Sequence, residues 1–142
     1  MTAKEYLEQA RFLDLRIDAK LEEVDRLNAL ATKATSVYSD VPGSPNRDTA
    51  KMAKTIEKIV DLENEINRDI DSLVDLKRDI SNVIKQIQNQ EYQYILEQRY
   101  LHFVKWEVIA VNLGYDVRWI YKLHGSALKR IENVLKEFSK IH

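Results

Sequence analysis

Residues 106–125 read WEVIAVNLGYDVRWIYKLHG, and this stretch decides the fold. A helix-turn-helix needs a small side chain where its two helices touch, and Ala110 stands there. It needs a turn residue that tolerates positive φ, and Gly114 follows four positions later. Apolar anchors must face a small core, and Ile109, Leu113, Tyr115, Ile120 and Leu123 have that spacing. Asp116 offers the side-chain oxygen that a helix N-cap requires. The pattern predicts a helix from Trp106, a turn at Gly114 and a second helix from Val117. Trp106 is expected to cap the core. Trp119, one step before Ile120, should turn partly outward. Gly125 costs a helix about 1 kcal/mol relative to Ala, so it implies a bend or the close approach of another backbone.

Upstream, Asn89 can cap a helix whose first turn carries Glu91. Tyr92, Ile95, Leu96, Tyr100 and Leu101 continue it to near His102. Before that, Met52, Ile56, Ile59, Ile66, Ile70, Leu73, Ile80, Ile84 and Ile87 keep three-four spacing from about Thr49 to Gln88. The segment from about Thr2 to Ser36 does the same through Ala3, Tyr6, Ala10, Leu13, Ile17, Val24, Leu27 and Ala31. Leu7, Leu21 and Leu30 add a weaker second stripe. Between the two segments, YSDVPGSPNRD (Tyr38 to Asp48) holds Pro42-Gly43 and Pro45, which do not sit inside helices, and Asn46 or Asp48 as a cap. Two long helices with one short loop should fold back antiparallel, each arm roughly 50 Å long. Lys20, Glu63 and Lys77 interrupt the stripes; such residues set register or extend along the seam edge. A hairpin alone buries one side of each helix, so self-pairing or packing on the C-terminal domain is expected.

The expected architecture is therefore all-α: an antiparallel helical hairpin over 1–88 and a helix-turn-helix domain over 89–142. Composition agrees. The 142 residues include 3 Gly and 2 Pro, too few for the many turns of a β-rich fold. Hydrophobic residues make up 44% and charged residues 32%, too apolar for disorder. No run is long enough to span a bilayer, and Met1 to Tyr6 lacks the apolar core of a signal peptide. The absence of cysteine excludes disulfides and thiolate metal sites. A cytoplasmic protein is expected. His102, His124 and His142 are scattered without metal-ligand spacing. No phosphate-binding glycine loop occurs, and no enzyme or cofactor is expected. Net charge is −1, but from Val117 onward Arg118, Lys122, Lys129, Arg130, Lys136 and Lys140 face only Glu132 and Glu137. A basic end on an acidic body is common in proteins that meet a polyanion at one end, and charge alone fits an ordinary solvated helix face equally well.

The stretch from Tyr92 to Leu135 resembles region four of sigma-70 class factors. There an Arg-Tyr helix precedes the motif and an Ala-Leu pair follows the recognition helix; Arg99-Tyr100 and Ala127-Leu128 match. The whole chain is similar to a phage and prophage family of Gram-positive bacteria related to late-gene regulators of the ArpU type. The chain lacks the promoter −10 binding regions of a full sigma factor, so the resemblance implies an activator or repressor rather than an initiation factor. Double-stranded DNA is then the expected partner, with RNA polymerase or another phage protein, or a second copy, contacting the hairpin.

In such a geometry Arg118 and Lys122 are four apart and share one face, away from Ile120 and Leu123. Arg118 would bind a guanine edge and Lys122 a base or a phosphate. Val117 would press on a thymine methyl and Tyr121 would bond a phosphate. Lys105, Lys129 and Arg130 would add backbone contacts. Two other readings fit the same pattern. One is a small-terminase-like DNA packaging protein, although there the motif usually precedes the coiled helices. The other is a protein-interaction factor in which the trihelical unit is a scaffold and Trp119 with Tyr121 forms a docking patch.

Overall fold

The computed structural model describes residues 1–38 and 45–141, with side chains described outside 34–48 and 141. Every element among the described residues is an α-helix: α1 (Ala3–Tyr38), α2 (Pro45–Lys85), α3 (Gln90–Tyr100), α4 (Trp106–Leu113) and α5 (Val117–Ile141). The all-α expectation holds. None of these helices is long and apolar enough to cross a membrane.

The helix ends follow local chemistry. The Asn89 side chain accepts from Tyr92 N at 3.0 Å and starts α3 as expected. Asp116 Oδ1 accepts from Arg118 N at 2.8 Å and starts α5 in the same way. Gly114 closes α4 at φ 73°, its N–H donating to the carbonyls of Ala110 and Val111. Pro45 departs from expectation, since α2 begins on it rather than near Thr49. A first helical residue needs no N–H bond, and the ring already holds φ near the helical value. The expected Pro42-Gly43 break and the capping side chains of Asn46 and Asp48 lie outside the described residues.

Two compact units divide the chain, one comprising Met1–Leu13 with Leu73–His142 and the other Asp14–Ser72. The sequence reading drew its line at residue 88. Hydrophobic burial underlies the observed division: the first turns of α1 share a core with α3 and α5. In that unit Ala3, Leu7 and Ala10 pack in one cluster with Ile80, Ile84, Leu96, Tyr100, Ala127 and Ile131. Leu7, read as part of a weak second stripe, is fully buried. A second cluster of the same unit joins Ile95, Ile109, Ala110 and Ile120, flanked by Trp106, Leu113, Val117 and Leu123. Tyr115 is not one of these anchors. It is 37% exposed, and its hydroxyl, hydrogen-bonded to Glu91, titrates above the usual tyrosine range.

In the other unit Ile17, Val24, Ile59 and Ile66 are buried. Ile56 and Ile70, expected on the buried stripe, are exposed, because a helix with a single neighbour covers only a narrow line. Lys20 Nζ lies 2.5 Å from Asp69 Oδ2 and 3.6 Å from Glu65 Oε2. Glu63 is exposed and takes no part in that pair. Replacing Lys20 by Met removes the cation from a half-buried Asp69 and is expected to lower stability by about 1 kcal/mol. Urea unfolding followed by circular dichroism reads this. A midpoint equal to or above that of the parent would show the pair replaceable by apolar contact.

Candidate nucleic-acid interface

The faces of α5 separate by helical arithmetic. Ile120, Ala127 and Ile131 are fully buried and lie on one side. Arg118, Lys122, Lys129 and Lys136 recur at steps of four and seven on the other side, and all are exposed. The stripe runs for five turns, and the one carboxylate that helical spacing brings to it is the exposed Glu132, between Lys129 and Lys136. Gly125 falls within it. An added Cβ at Gly125 would meet nothing within 4 Å, and α5 continues through it as one helix. Neither the bend nor a close backbone of this chain accounts for this glycine. It leaves bare main chain in the middle of a row of cations, where a phosphate backbone can come near. Gly125→Ala is expected to raise stability by about 0.5–1 kcal/mol, seen as a higher melting temperature; a lower one would mean the bare backbone serves the fold itself.

The seven residues singled out from sequence do not form one surface. Arg118, Lys122 and Lys129 stand together on the stripe. Val117 is half-buried and packs on the Ile109–Ile120 cluster, so its methyl groups are occupied by the core. The Arg130 guanidinium lies 5.4 Å from the Tyr92 ring centroid, turned toward α3. Tyr121 is exposed but sets its ring at 5.7 Å and 78° to Trp106. Lys105 is exposed at the start of α4 and makes no side-chain capping bond. Lys136 was counted in the basic tail but not placed with Arg118 and Lys122; its spacing of fourteen from Lys122 was the available signal. Trp119 is 48% exposed, as its position beside Ile120 implied.

Beneath the stripe lies a polar-aromatic cluster that the sequence reading passed over. Tyr100 Oη is 2.6 Å from His124 Nε2, and the two rings stack at 5.7 Å and 26°. Trp106 meets His124 edge-on at 4.5 Å and 63°. Burial, and then the positive charges of Lys4 and Arg99, lower the His124 pKa to about 4. Burial, and then the charge of Glu8, push Tyr100 up to about 12. Both groups are therefore uncharged at neutral pH, which suits a hydrogen bond in a half-buried place. His124 follows Ile120 by four residues, so helical spacing already put it on the core side. It was weighed only as a metal ligand. Among the described residues no group of three or more His, Asp or Glu side chains is arranged to hold a metal ion.

Phe103, between α3 and α4, has φ 57°, a left-handed conformation that is costly for an aromatic residue. The turn around it is held by Val104 N donating to Gln98 O at 2.9 Å and by Arg99 Nη1 donating to Val104 O at 3.2 Å. Arg99 also lies over the Trp106 ring at 4.7 Å. The Arg99-Tyr100 pair is thus a structural brace, with Arg99 holding the turn and Tyr100 holding His124.

The chain matches no protein-family model, no curated protein and no solved structure.

Proposed function

We propose that the protein is a sequence-specific double-stranded DNA-binding regulator of the phage type, in which α4 and α5 form a helix-turn-helix. The α5 N-terminal half enters the major groove, and α1 with α2 forms an antiparallel hairpin for self-association or for contact with RNA polymerase or a phage partner. Such a regulator works in the cytoplasm of a bacterial host. The observation that carries this reading is the exposed line of Arg118, Lys122 and Lys129 opposite a fully buried Ile120 and Ala127. The left-handed Gly114 between two helices of suitable length supports the motif. The hairpin is supported by Lys20 pairing with Asp69, and by Ala3 and Leu7 sharing a cluster with Ile84 and Ile80. The likeness to sigma region four rests on the residues alone.

The test is fluorescence anisotropy with duplex DNA from the gene's own neighbourhood across a salt series. A few phosphate contacts should give a log–log slope of about −3. Arg118→Ala should weaken the cognate duplex by about 10- to 100-fold and a scrambled duplex far less. Equal losses on both would make Arg118 a phosphate contact. Affinity indifferent to salt and sequence would end the reading.

A second reading, a protein-docking scaffold, has its own support. Val111 is 78% exposed, and Val108, Trp119 and Tyr121 are exposed too. These apolar side chains of α4 and α5 are of the kind that protein interfaces cover. Absence of any DNA binding at low salt favours it.

A further inference from the structure

We propose that the cleft between the first turns of α1, the α3–α4 turn and the inner side of α5 binds a small anion bearing a planar ring, of the nucleoside monophosphate class. The inference does not depend on DNA binding, and it belongs wholly to the unit that contains α3, α4 and α5.

Charge is the first argument. Lys4, Arg11, Arg99 and Lys105 line the cleft against a single carboxylate, Glu8. Leaving aside Arg11, which is engaged in a further interaction, three cations less one anion leave a formal excess of two positive charges, on a chain whose net charge is −1. Lys4 lies 3.9 Å from Glu8, which offsets that carboxylate. Positive side chains gathered this closely repel one another, and a bound anion relieves the repulsion. Arg99 is half-buried and its fork is oriented by Trp106 and by the Val104 carbonyl. An oriented guanidinium loses little freedom when it binds a phosphate.

The ring is the second argument. Trp106, Tyr121, His124 and Phe103 line the same space. They are held in place: His124 by Tyr100, Trp106 by Arg99 and His124, and Phe103 by the Arg11 guanidinium at 5.1 Å and Lys77 Nζ at 4.7 Å from its ring centroid. Rigid aromatic walls favour a flat ligand, through stacked or edge-on contact. His124 is neutral here, so it can offer a hydrogen bond to a base edge without adding charge. The volume is about 490 Å³, within the range of sites for small organic ligands and far more than inorganic phosphate fills. A duplex would meet Lys105 and the exposed Tyr121 at the rim, whereas Phe103, Trp106 and His124 are half-buried and suit a small ligand rather than a DNA backbone.

The test uses the full chain carrying Trp119→Phe, which leaves Trp106 as its only tryptophan. Its fluorescence is followed on addition of each of the four nucleoside 5′-monophosphates, of adenosine, of inorganic phosphate and of a short duplex. The expected result is saturable quenching by at least one monophosphate, with Kd in the range of about 10 µM to 1 mM. Adenosine and phosphate alone should bind at least about tenfold more weakly, because each supplies half of the contacts. Lys105→Ala, at an exposed position without packing duties, should weaken the nucleotide by about three- to tenfold, and Arg99→Lys by about tenfold. Circular dichroism confirms that both variants are folded. No saturable signal with any monophosphate overturns the proposal. So does phosphate binding as tightly as the nucleotide, or affinity unchanged in both variants. Quenching by the duplex alone, lost in Lys105→Ala, overturns it in favour of a DNA backbone contact.

Discussion

Ile120→Ala is expected to lower the stability of the unit containing α3, α4 and α5 by about 3–4 kcal/mol. Ile120 is fully buried and meets Ile95, Ile109 and Ala110 in a core with few other members. Removing most of its side chain forfeits the burial of three carbons and leaves a void that such a small core fills poorly. The loss is a large part of what a domain of this size has to spare. Unfolding in urea, followed by the near-ultraviolet signal of Trp106, measures it. Arg118, two residues earlier, is exposed, and Arg118→Ala should shift the same midpoint by less than about 0.5 kcal/mol. The pair of variants separates a buried residue from an exposed one on different faces of one helix. A loss below about 1 kcal/mol for Ile120→Ala would mean that α4 and α5 do not pack as described.

The second large effect is a dependence of stability on pH. The unfolded chain holds His124 near its ordinary pKa of 6.5, and the folded state lowers it to about 4. Between these values the unfolded chain binds a proton that the folded chain does not. The contribution is therefore complete above about pH 6.5, declines as pH falls, and is lost below about pH 4. The whole difference corresponds to about 3 kcal/mol, and partial access of solvent reduces it to about 2 kcal/mol. His124→Gln keeps a hydrogen-bonding group for Tyr100 and cannot titrate. Stability should fall less steeply in this variant than in the parent between about pH 6.5 and pH 4. Carboxylates titrate in both proteins, so only the difference between the two slopes counts. Parallel slopes would show that His124 is not held neutral by the fold.

The ends of α4 and α5 were readable from sequence because their signals are local. Ala110, Gly114, Asp116 and Ile120 each meet a steric or hydrogen-bonding demand set within a few residues. Tyr115 misled because its spacing from Leu113 and Ile120 was read as apolar periodicity, whereas a hydroxyl with Glu91 nearby gains more at the surface. The heptad lines of α1 and α2 announced buried faces without naming what covers them. Nothing in Ala3, Leu7 and Ala10 points to Ala127 and Ile131, since that choice is made by the tertiary fold. The same limit hid the cleft, whose cations come from α1, α3 and the start of α4. Of the residues put forward for DNA, periodicity grouped Arg118 with Lys122, both exposed, and left Lys129 beside Arg130 as a downstream contact. It could not show that Tyr92 draws Arg130 aside.

The sharing of one core by the opening turns of α1 and the closing half of α5 has a kinetic consequence. Chain emerging from a ribosome could shelter Leu7 and its neighbours in part once Ile80 and Ile84 had been made, but would complete that core only after Ala127 and Ile131. Closing so wide a loop is slow. The last step of folding is then the docking of α5 on a partly formed core, and the refolding rate should be sensitive to substitutions at Ala127 and Ile131.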